Sequence, residues 1–283
     1  MRPRLKNVAL ERSGATLRLA YDRRDHLLVE DPDGTVERLL RLLTGNSTVS
    51  ELARLVNLPE RAVDDAVRSF DAWGLLEDAD RTGTMDAARL ERHASNLAFF
   101  ESFASLRHSR EDFQRRLDEA HVLVLGTGGV NSTVLQHLCG LGVGHVTLLD
   151  RDAVEARNFA RQYLYQWADI GARKVERAAA WVSRFDPAVE VVAALDTDLT
   201  GTGRLTDLLD RYRPDVVASG VDQPRDIDDW LNAACVSRGV PYVRAGMAVT
   251  QGVVWSVEPG NFARRRPEIT MPEFMLVARK PEE

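Results

Sequence analysis

The chain has 283 residues, which is enough for two domains of ordinary size, and its formal net charge is −6 at pH 7. Its apolar fraction of 44% and charged fraction of 28% are those of a soluble globular protein. No apolar run approaches the roughly 20 residues that a bilayer crossing needs, and the N-terminus lacks a signal-type segment. We therefore expect a cytoplasmic protein without a membrane partner, and the acidic balance argues against general nucleic-acid binding.

The two cysteines, Cys139 and Cys235, both fall inside helical patterns. Because the chain has no C-x-x-C pair, they do not form a ligand set for structural zinc, and we expect no zinc. We predict that both are small core residues and that neither is a nucleophile or a disulfide partner.

The first 80 residues predict a small α+β unit. Short β-type runs at Val8–Leu10, Ala15–Tyr21 and His26–Glu30 are separated by turn residues, and the breaker Asp31–Gly34 follows them. Three helical patterns come next, and residues 74–77 predict a short winglet strand. The helical patterns carry their apolar residues at Val36, Leu39, Leu40 and Leu43, over Val49–Val56, and at Val63, Val67, Phe70 and Trp73.

This order of strands, three helices and winglet resembles the PqqD-like peptide-recognition domain, a winged-helix fold. Domains of that family bind the leader of a ribosomally made precursor peptide as an added strand beside their own sheet. The resemblance implies peptide-binding residues on the strand His26–Glu30 and on the third helix, namely Leu27, Leu28, Val29, Arg61, Asp64 and Arg68.

Two other interpretations of residues 1–80 stay open, a DNA-binding winged helix and a purely structural module. The recognition helix of a DNA-binding domain should carry an excess of basic residues, which contact the phosphate backbone. The third helix reads ERAVDDAVRSFDAW and has more acidic than basic residues. Its charge therefore argues against DNA.

Residues 81–91 are polar and predict a linker to a second domain over 92–283. β-type runs and helical patterns alternate in that domain, which predicts an α/β fold with a doubly wound, mostly parallel Rossmann-like sheet. The predicted strands are Val122–Leu125, Val146–Leu149, Val189–Leu195, Asp215–Ala218, Tyr242–Ala245 and Gly252–Val257, and helices are predicted over 171–185, 205–212 and 227–238.

The stretch His121–Asp152 has the pattern of a nucleotide-binding βαβ unit. Its first strand ends at Gly126, Gly128 and Gly129, and its second strand ends at Asp150. Glycines let the backbone approach a phosphate, and the helix N-terminus that follows attracts its charge. An acid after the second strand can accept a hydrogen bond from a ribose hydroxyl. The third glycine of G-x-G-x-x-G is replaced by Asn131.

Further charged residues follow the predicted strands, at the edge where such sheets bind ligands. Arg161, Lys174 and Asp222 are placed to converge on the glycine turn. A nicotinamide-dependent oxidoreductase needs few fixed charges around its phosphates, whereas a triphosphate with Mg²⁺ needs cations and a carboxylate. The sequence therefore favours an ATP·Mg²⁺ site, and the oxidoreductase is kept as an alternative that rests on the βαβ unit alone.

These motifs together resemble the ThiF/MoeB/HesA family of ubiquitin-activating-like adenylating enzymes. The shared features are the turn GTGGV, the strand end LLDRD, the segments NFARQ and GARK, and Asp222 after a later strand, over about residues 89–260. With a PqqD-like domain in front, the chain also resembles the microcin C maturation enzymes of this family and the leader-binding ThiF-like proteins of azoline pathways.

The resemblance implies roles for individual residues. Asp150, with Asp152 beside it, contacts the ribose, while Asn158, Arg161 and Gln162 hold base and phosphates. Lys174 binds phosphate and Asp222 binds Mg²⁺. The implied reaction is ATP-dependent adenylation of a ribosomal precursor peptide by a homodimer. The alternative is a catalytically reduced partner that delivers the leader peptide to a cyclodehydratase or another modifying enzyme.

Each of these residues also has an ordinary structural interpretation. Arg161 and Lys174 fit solvated charges at helix ends, and Asp152 and Asp222 fit caps of the segments that follow them. Three departures from the family pattern favour the reduced partner. Ser95 replaces an arginine of the R-Y-x-R-Q segment that reaches across a dimer, Asn131 replaces a glycine, and the expected continuation after Gly260 is missing, so we expect a shortened adenylation domain.

Overall fold

A computed structural model describes residues 1–20, 26–194, 198–248 and 251–259 of the chain. The chain forms two compact units, of which the first comprises Met1–Arg116 and the second begins at Leu117. In the described part of the chain, no helix is both long enough and apolar enough to cross a membrane. The predicted tail beyond Gly260 lies outside the described residues.

Two small sheets form the strand layer of the first unit. β2 (Ala9–Ser13), β3 (Thr16–Ala20) and β4 (His26–Glu30) pair antiparallel in that order, close to the predicted runs. The short strand predicted at residues 74–77 is present as β5 (Leu76–Asp78), and it pairs with a strand that the sequence analysis missed, β1 (Pro3–Leu5). Since β4 is at the end of its sheet, its outer edge has no strand partner among the described residues.

Three helices follow the sheet, as predicted: α1 (Thr35–Leu42), α2 (Val49–Val56) and α3 (Glu60–Ala72). Thr48 caps α2 in a reciprocal capping box with Glu51, which satisfies two free backbone donors at that helix start. The apolar faces of these helices bury one core with residues of β3 and β5. Three more helices complete the series, namely α4 (Ala87–Arg92), α5 (Ala94–Glu101) and α6 (Arg110–Glu119).

The predicted linker, residues 81–91, is ordered within the first unit. The buried carboxylate of Glu111 accepts hydrogen bonds from the backbone amides of Gly83, Thr84 and Met85 at 2.7, 2.8 and 3.2 Å. The boundary between the compact units lies later, after Arg116.

The second unit contains one six-stranded sheet in the order β11-β10-β9-β6-β7-β8, parallel except for β11 at one edge. Numbered within the unit, this is the order 3-2-1-4-5-6 of a doubly wound nucleotide-binding fold. The predicted fold class is confirmed. The strands are β6 (His121–Leu125), β7 (His145–Leu149), β8 (Glu190–Ala194), β9 (Val216–Ser219), β10 (Tyr242–Ala248) and β11 (Gln251–Val257), and the helices are α7 (Gly129–Leu141), α8 (Lys174–Phe185), α9 (Thr202–Tyr212) and α10 (Ile227–Arg238).

Both faces of this sheet are covered, which explains why its central strands are mostly apolar. Alternate residues of β6 enter two separate cores, with Val124 in one and Leu123 in the other. Cys139 and Cys235 are buried, one in each core, so their predicted role as core residues is confirmed. The strand order reverses between β6 and β9, and this opens a crevice at their carboxyl ends.

Candidate functional site

The glycine turn brings backbone amides to the crevice. Gly126 has a φ of 80°, and a Cβ there would lie 2.8 Å from Val221 Cγ1, so only glycine fits. A Cβ on Gly129 would lie 3.1 Å from the Arg161 side chain. α7 begins after Gly128 without a side-chain cap, which leaves its first amide groups available to an anion.

The carboxylate of Asp150 is hydrogen-bonded to the glycine turn. Its Oδ2 accepts hydrogen bonds from Thr127 N at 2.7 Å and from Thr127 Oγ1 at 2.9 Å, and its Oδ1 accepts one from Asp152 N at 2.9 Å. Tyr165 OH lies 2.7 Å from the Thr127 carbonyl oxygen. Burial raises the pKa of Tyr165, so its hydroxyl stays protonated and donates. The network fixes Asp150 and leaves it one acceptor site on Oδ1 for a ligand hydroxyl.

Two cations lie beside the turn in different environments. Arg161 is exposed, its side chain rests against Gly129, and it has no side-chain partner among the described residues. Lys174 is the first residue of α8 and is only 7% exposed, with Nζ 3.0 Å from Asp152 Oδ2. Lys174 is therefore not the solvated helix-end charge of the alternative interpretation. Asp152 is used as its partner and remains 60% exposed.

Asp222 follows β9 on the opposite side of the crevice. It is exposed, and no side-chain partner is found for it in the described parts of the chain. α10 begins at Ile227 with Asp226 as its N-terminal flanking residue. Asp222 is therefore not the cap of that helix, and its carboxylate is available to a ligand.

These groups line one cavity of about 1010 Å³. This volume is at the upper end of the range of about 300–1,000 Å³ for small-molecule sites. The cavity brings together every predicted nucleotide-binding residue except one, namely Gly126, Gly128, Gly129, Asp150, Asp152, Arg161, Gln162, Lys174 and Asp222. Gln162 is buried, and its Oε1 has no hydrogen-bond partner among the described residues, so a ligand donor would satisfy it.

Asn158 is the exception among the predicted residues. It is buried outside the cavity lining, and its Oδ1 accepts a hydrogen bond from the backbone amide of Glu155 at 2.8 Å. Its side chain therefore holds the short 3₁₀ helix Ala156–Ala160, which precedes Arg161. The prediction that Asn158 contacts nucleotide is not supported by this position.

Asn131, which replaces the third glycine of the motif, has a structural role. Asn131 Nδ2 donates to the carbonyl oxygens of Leu125, Gly126 and Ala218 at 2.8, 2.9 and 3.2 Å, and these hydrogen bonds connect β6 to β9 at the crevice.

The sequence analysis missed several residues that line the cavity. They lie in β10 and β11, and no motif had indicated them, namely Arg244, Gly246, Met247, Val253 and Trp255.

The predicted peptide-binding residues lie on β4 and α3 of the first unit. Leu27 and Val29 pack against the core of that unit, whereas Leu28 points outward and is 65% exposed. On α3, the pair Arg68–Asp64 forms an ion pair at 2.8 Å, and Arg61 is exposed.

Comparison with solved structures finds the same fold in E. coli MccB. Its complex with ATP has a TM-score of 0.69 at 21% identity and covers 92% of this chain and 75% of that one. The SeMet PaaA structure has a TM-score of 0.60 at 20% identity, with 70% and 64% covered. At these identities the likeness establishes the fold alone.

Sequence relatives match about half of the chain. The adenylyltransferase and sulfurtransferase MOCS3 of Sus scrofa is 39% identical over 141 residues, 50% of this chain and 30% of that protein. The molybdopterin-synthase adenylyltransferase of Salmonella typhimurium is 34% identical over 144 residues, 50% of this chain and 55% of that protein. The chain thus matches about half or less of the length of these relatives. The ThiF family matches residues 101–267, more than half of the sequence. The chain therefore belongs to the ThiF family.

Proposed function

We propose that this chain uses ATP to adenylate a precursor peptide of a ribosomally made, modified peptide, with release of pyrophosphate. The observation that carries the proposal is the cavity in which the glycine turn, Arg161, Lys174 and Asp222 surround one space. Sequence relatives are named adenylyltransferases. E. coli MccB, described as a microcin C7 biosynthetic enzyme, has been solved with ATP and with MccA.

The nucleotide side of the cavity offers groups for the ribose and for the phosphates of ATP. Asp150 accepts from the ribose through Oδ1, and the first amides of α7 face the phosphates. Arg161 and Lys174 offset the phosphate charge, and this stabilises the pentavalent transition state more than the ground state. Lys174 uses one of its three donors on Asp152, so two remain for phosphate oxygens.

Mg²⁺ fits this site when phosphate oxygens supply most of its ligands. The described residues contain no group of three or more His, Cys, Asp or Glu side chains that would hold a metal alone. A single carboxylate together with phosphates and waters is a usual Mg²⁺ environment. Asp222, exposed and without a side-chain partner in the described ranges, is the carboxylate that would hold it.

The transfer step needs no protein nucleophile. An oxygen of the acceptor carboxylate attacks the α-phosphorus, the new O–P bond forms, and the bond to pyrophosphate breaks with its electron pair leaving on pyrophosphate. No proton or electron has to be supplied, so catalysis is positioning and charge neutralisation. Burial raises the pKa of Cys235 to about 12, which keeps that thiol protonated and unreactive at neutral pH.

The peptide would be captured by residues 1–80, proposed as a PqqD-like winged-helix domain, with 81–91 as connection and 92–283 as adenylation domain. β4 offers an unpaired edge, on which Leu28 provides an apolar contact. An extended leader adding to this edge gains backbone hydrogen bonds along the strand. We place the reaction in the cytoplasm and propose a homodimer, in keeping with the resemblance.

The test measures pyrophosphate release from Mg·ATP by the full chain with short peptides encoded beside its gene. Wild type should release pyrophosphate only with the cognate peptide, and Asp222→Asn should lower the rate at least about 100-fold, as expected for loss of a metal ligand. Asp229→Asn, a matched change on the first turn of α10 outside the cavity, should be neutral. Equal rates for the two variants would refute the role of Asp222.

A second candidate is the leader-binding partner of a cyclodehydratase or other modifying enzyme. It is favoured by Ser95 on α5, at a position where the resemblance implies an arginine. Under this alternative, peptide affinity should not change with Mg·ATP, no pyrophosphate should form, and the chain should stimulate a separate enzyme. A nicotinamide-dependent oxidoreductase is disfavoured by the membership in the ThiF family.

A further inference from the structure

The cavity has a second end, formed by β10 and β11. The strands β7, β6, β9 and β10 are successive neighbours in the sheet. Asp150 follows β7, whereas Arg244 lies in β10 in register with Ser219, the last residue of β9. Three interstrand spacings separate β7 from β10, which amounts to about 14 Å. A cavity that extends over this distance accommodates a second reactant beside the nucleotide.

Arg244 is the charged group at this second end, and its guanidinium is held in place. The side chain is 7% exposed, and Nε donates to Asp228 Oδ1 at 2.7 Å. Nη1 donates to the carbonyl oxygen of Ala245, and the guanidinium carbon lies 5.6 Å from the centre of the Trp255 ring. Within the described ranges, no partner is found for Nη2. One amino group of a fixed, permanently charged fork is thus left for a ligand.

The surroundings of Arg244 leave room for a ligand and are partly apolar. Gly246 lies beside the guanidinium, where a Cβ would be in ordinary contact with Arg244 Nη1 at 3.4 Å. Met247, Val253 and Trp255 line the same end of the cavity. Beside these apolar side chains, the free amino group of Arg244 can donate a charge-assisted hydrogen bond to a carboxylate attached to a carbon chain, while Asp228 holds the other side of the guanidinium.

We propose that Arg244 binds the carboxylate of the acceptor, so that the β10–β11 end of the cavity is the acceptor subsite. This inference rests on the proposed adenylation. Arg244 holds one carboxylate oxygen while the other forms the bond to the α-phosphorus and the bond to pyrophosphate breaks. One charge-assisted hydrogen bond favours a carboxylate over the corresponding amide by roughly tenfold or more. Arg244 thereby sets the specificity for a free chain terminus.

The test is a binding experiment on the full chain saturated with Mg²⁺ and α,β-methylene-ATP, whose bridge prevents pyrophosphate release. The probes are N-acetyltriglycine and its C-terminal amide, and their binding is measured by ligand-observed NMR titration. Wild type should bind the carboxylate about tenfold more tightly than the amide. Arg244→Met should reduce this preference to less than twofold and leave the affinity for the nucleotide analogue within twofold.

Three further variants separate binding from a structural role. Arg225→Met removes an exposed arginine outside the cavity lining and should keep the tenfold preference. Asp228→Asn weakens the ion pair yet keeps the guanidinium, so the preference should persist. Arg244→Lys retains the positive charge but lacks the planar guanidinium, so it should show an intermediate preference for the carboxylate. This variant tests the proposal if Arg244→Met does not fold.

Two results would overturn the proposal: a wild-type protein without carboxylate preference, or an Arg244 variant that retains it in full. An arginine that only pairs with Asp228 would give equal losses of stability in Arg244→Met and Asp228→Asn with no change in preference. Failure of the proposed function is recognised separately, because it appears as absence of pyrophosphate release with ATP. The titration with the analogue does not depend on turnover.

Discussion

Two buried carboxylates of the first unit and three charged groups of the cavity in the second unit differ in how many hydrogen bonds they make inside the protein. In the first unit, Asp31 accepts hydrogen bonds from the amides of Val36 and Glu37 at 2.9 and 3.1 Å and pairs with Arg12. Glu111 likewise accepts from three backbone amides and from the Thr84 hydroxyl. In the cavity of the second unit, Arg161, Asp222 and one amino group of Arg244 have no such partners within the described ranges.

This difference separates groups that stabilise from groups that bind. A charged group whose hydrogen bonds are all made inside the protein contributes to stability and gains nothing from a ligand. A charged group held in a cavity without partners contributes little to stability, and its interaction energy becomes available when a ligand arrives. Substitutions in the first unit should therefore change unfolding, and substitutions in the cavity should change binding.

Within this comparison, the largest effect is expected for Lys174→Met on the affinity for nucleotide. Loss of a charged donor to phosphate should weaken the affinity for Mg·ATP analogues about 10- to 100-fold, as measured by isothermal titration calorimetry. The free energy of unfolding should change by less than about 1 kcal/mol, because the 60% exposed Asp152 stays hydrated. Arg177→Met, an exposed position on the same helix, is the matched control and should leave affinity unchanged. A large loss of stability in Lys174→Met with unchanged nucleotide affinity would show that Lys174 stabilises the fold and does not bind nucleotide.

The opposite pattern is expected for Glu111→Gln. Four hydrogen bonds converge on this buried carboxylate, so the substitution should lower the free energy of unfolding by about 2 kcal/mol at pH 7, measured by urea denaturation. Nucleotide affinity should not change. Glu91→Gln, at an exposed position, should stay within about 0.5 kcal/mol of wild type.

The pH dependence of the same variant provides an independent check. Burial raises the pKa of Glu111, but the hydrogen bonds from Gly83, Thr84 and Met85 lower it by more, so the folded value lies below the ordinary 4.5. The stabilisation is thus present in full above that pH and is lost as the pH falls through the folded value. The stability difference between wild type and Glu111→Gln should therefore be constant from pH 8 to 6 and shrink below pH 4.5. A difference that grows on acidification would show that the carboxylate is protonated in the folded state.

A smaller effect is expected for Asn131→Gly, which restores the third glycine of the motif. From the motif alone, glycine should improve nucleotide binding. The structure predicts a loss, because the Asn131 amide bridges the ends of β6 and β9. We expect the free energy of unfolding to fall by about 1–2 kcal/mol. The affinity for an ATP analogue should also fall, because the hydrogen bonds that connect β6 and β9 at the crevice are lost. Tighter binding of the ATP analogue by Asn131→Gly would contradict this prediction and would support the expectation from the glycine motif.

The nucleotide side of the site could be predicted from the sequence because its signals are local. The glycine turn, Asp150 and the predicted strands lie within short windows, and α10 was predicted with its observed bounds. Strand order follows from the alternation of strands and helices, since crossovers of one hand leave few topologies. The same local reasoning recovered the cavity position of Lys174 and Asp222.

The parts that the sequence did not predict depend on distant partners. Arg244 looks like any strand residue until α10 supplies Asp228 and β11 supplies Trp255. β1 has three residues, and its partner β5 lies more than 70 residues away in the chain, so no window contains the pair. The hydrogen bonds from the polar segment 81–91 to Glu111 could not be predicted either, because Glu111 lies 26 to 28 residues further along the chain. In each case the missing information is a tertiary contact.

The smallest effect is expected for Arg68→Ala on α3. Its ion pair with Asp64 spans one helical turn and is exposed, at 75% for the arginine. Solvent screening limits such pairs to about 0.3–0.5 kcal/mol, so the loss in urea denaturation should not exceed that and should disappear in 0.5 M NaCl. The loss caused by Glu111→Gln should persist at that salt concentration, because its hydrogen bonds are buried. If both losses vanished with salt, Glu111 would be acting as a surface charge and the contrast between satisfied and unsatisfied groups would fail within the first unit itself.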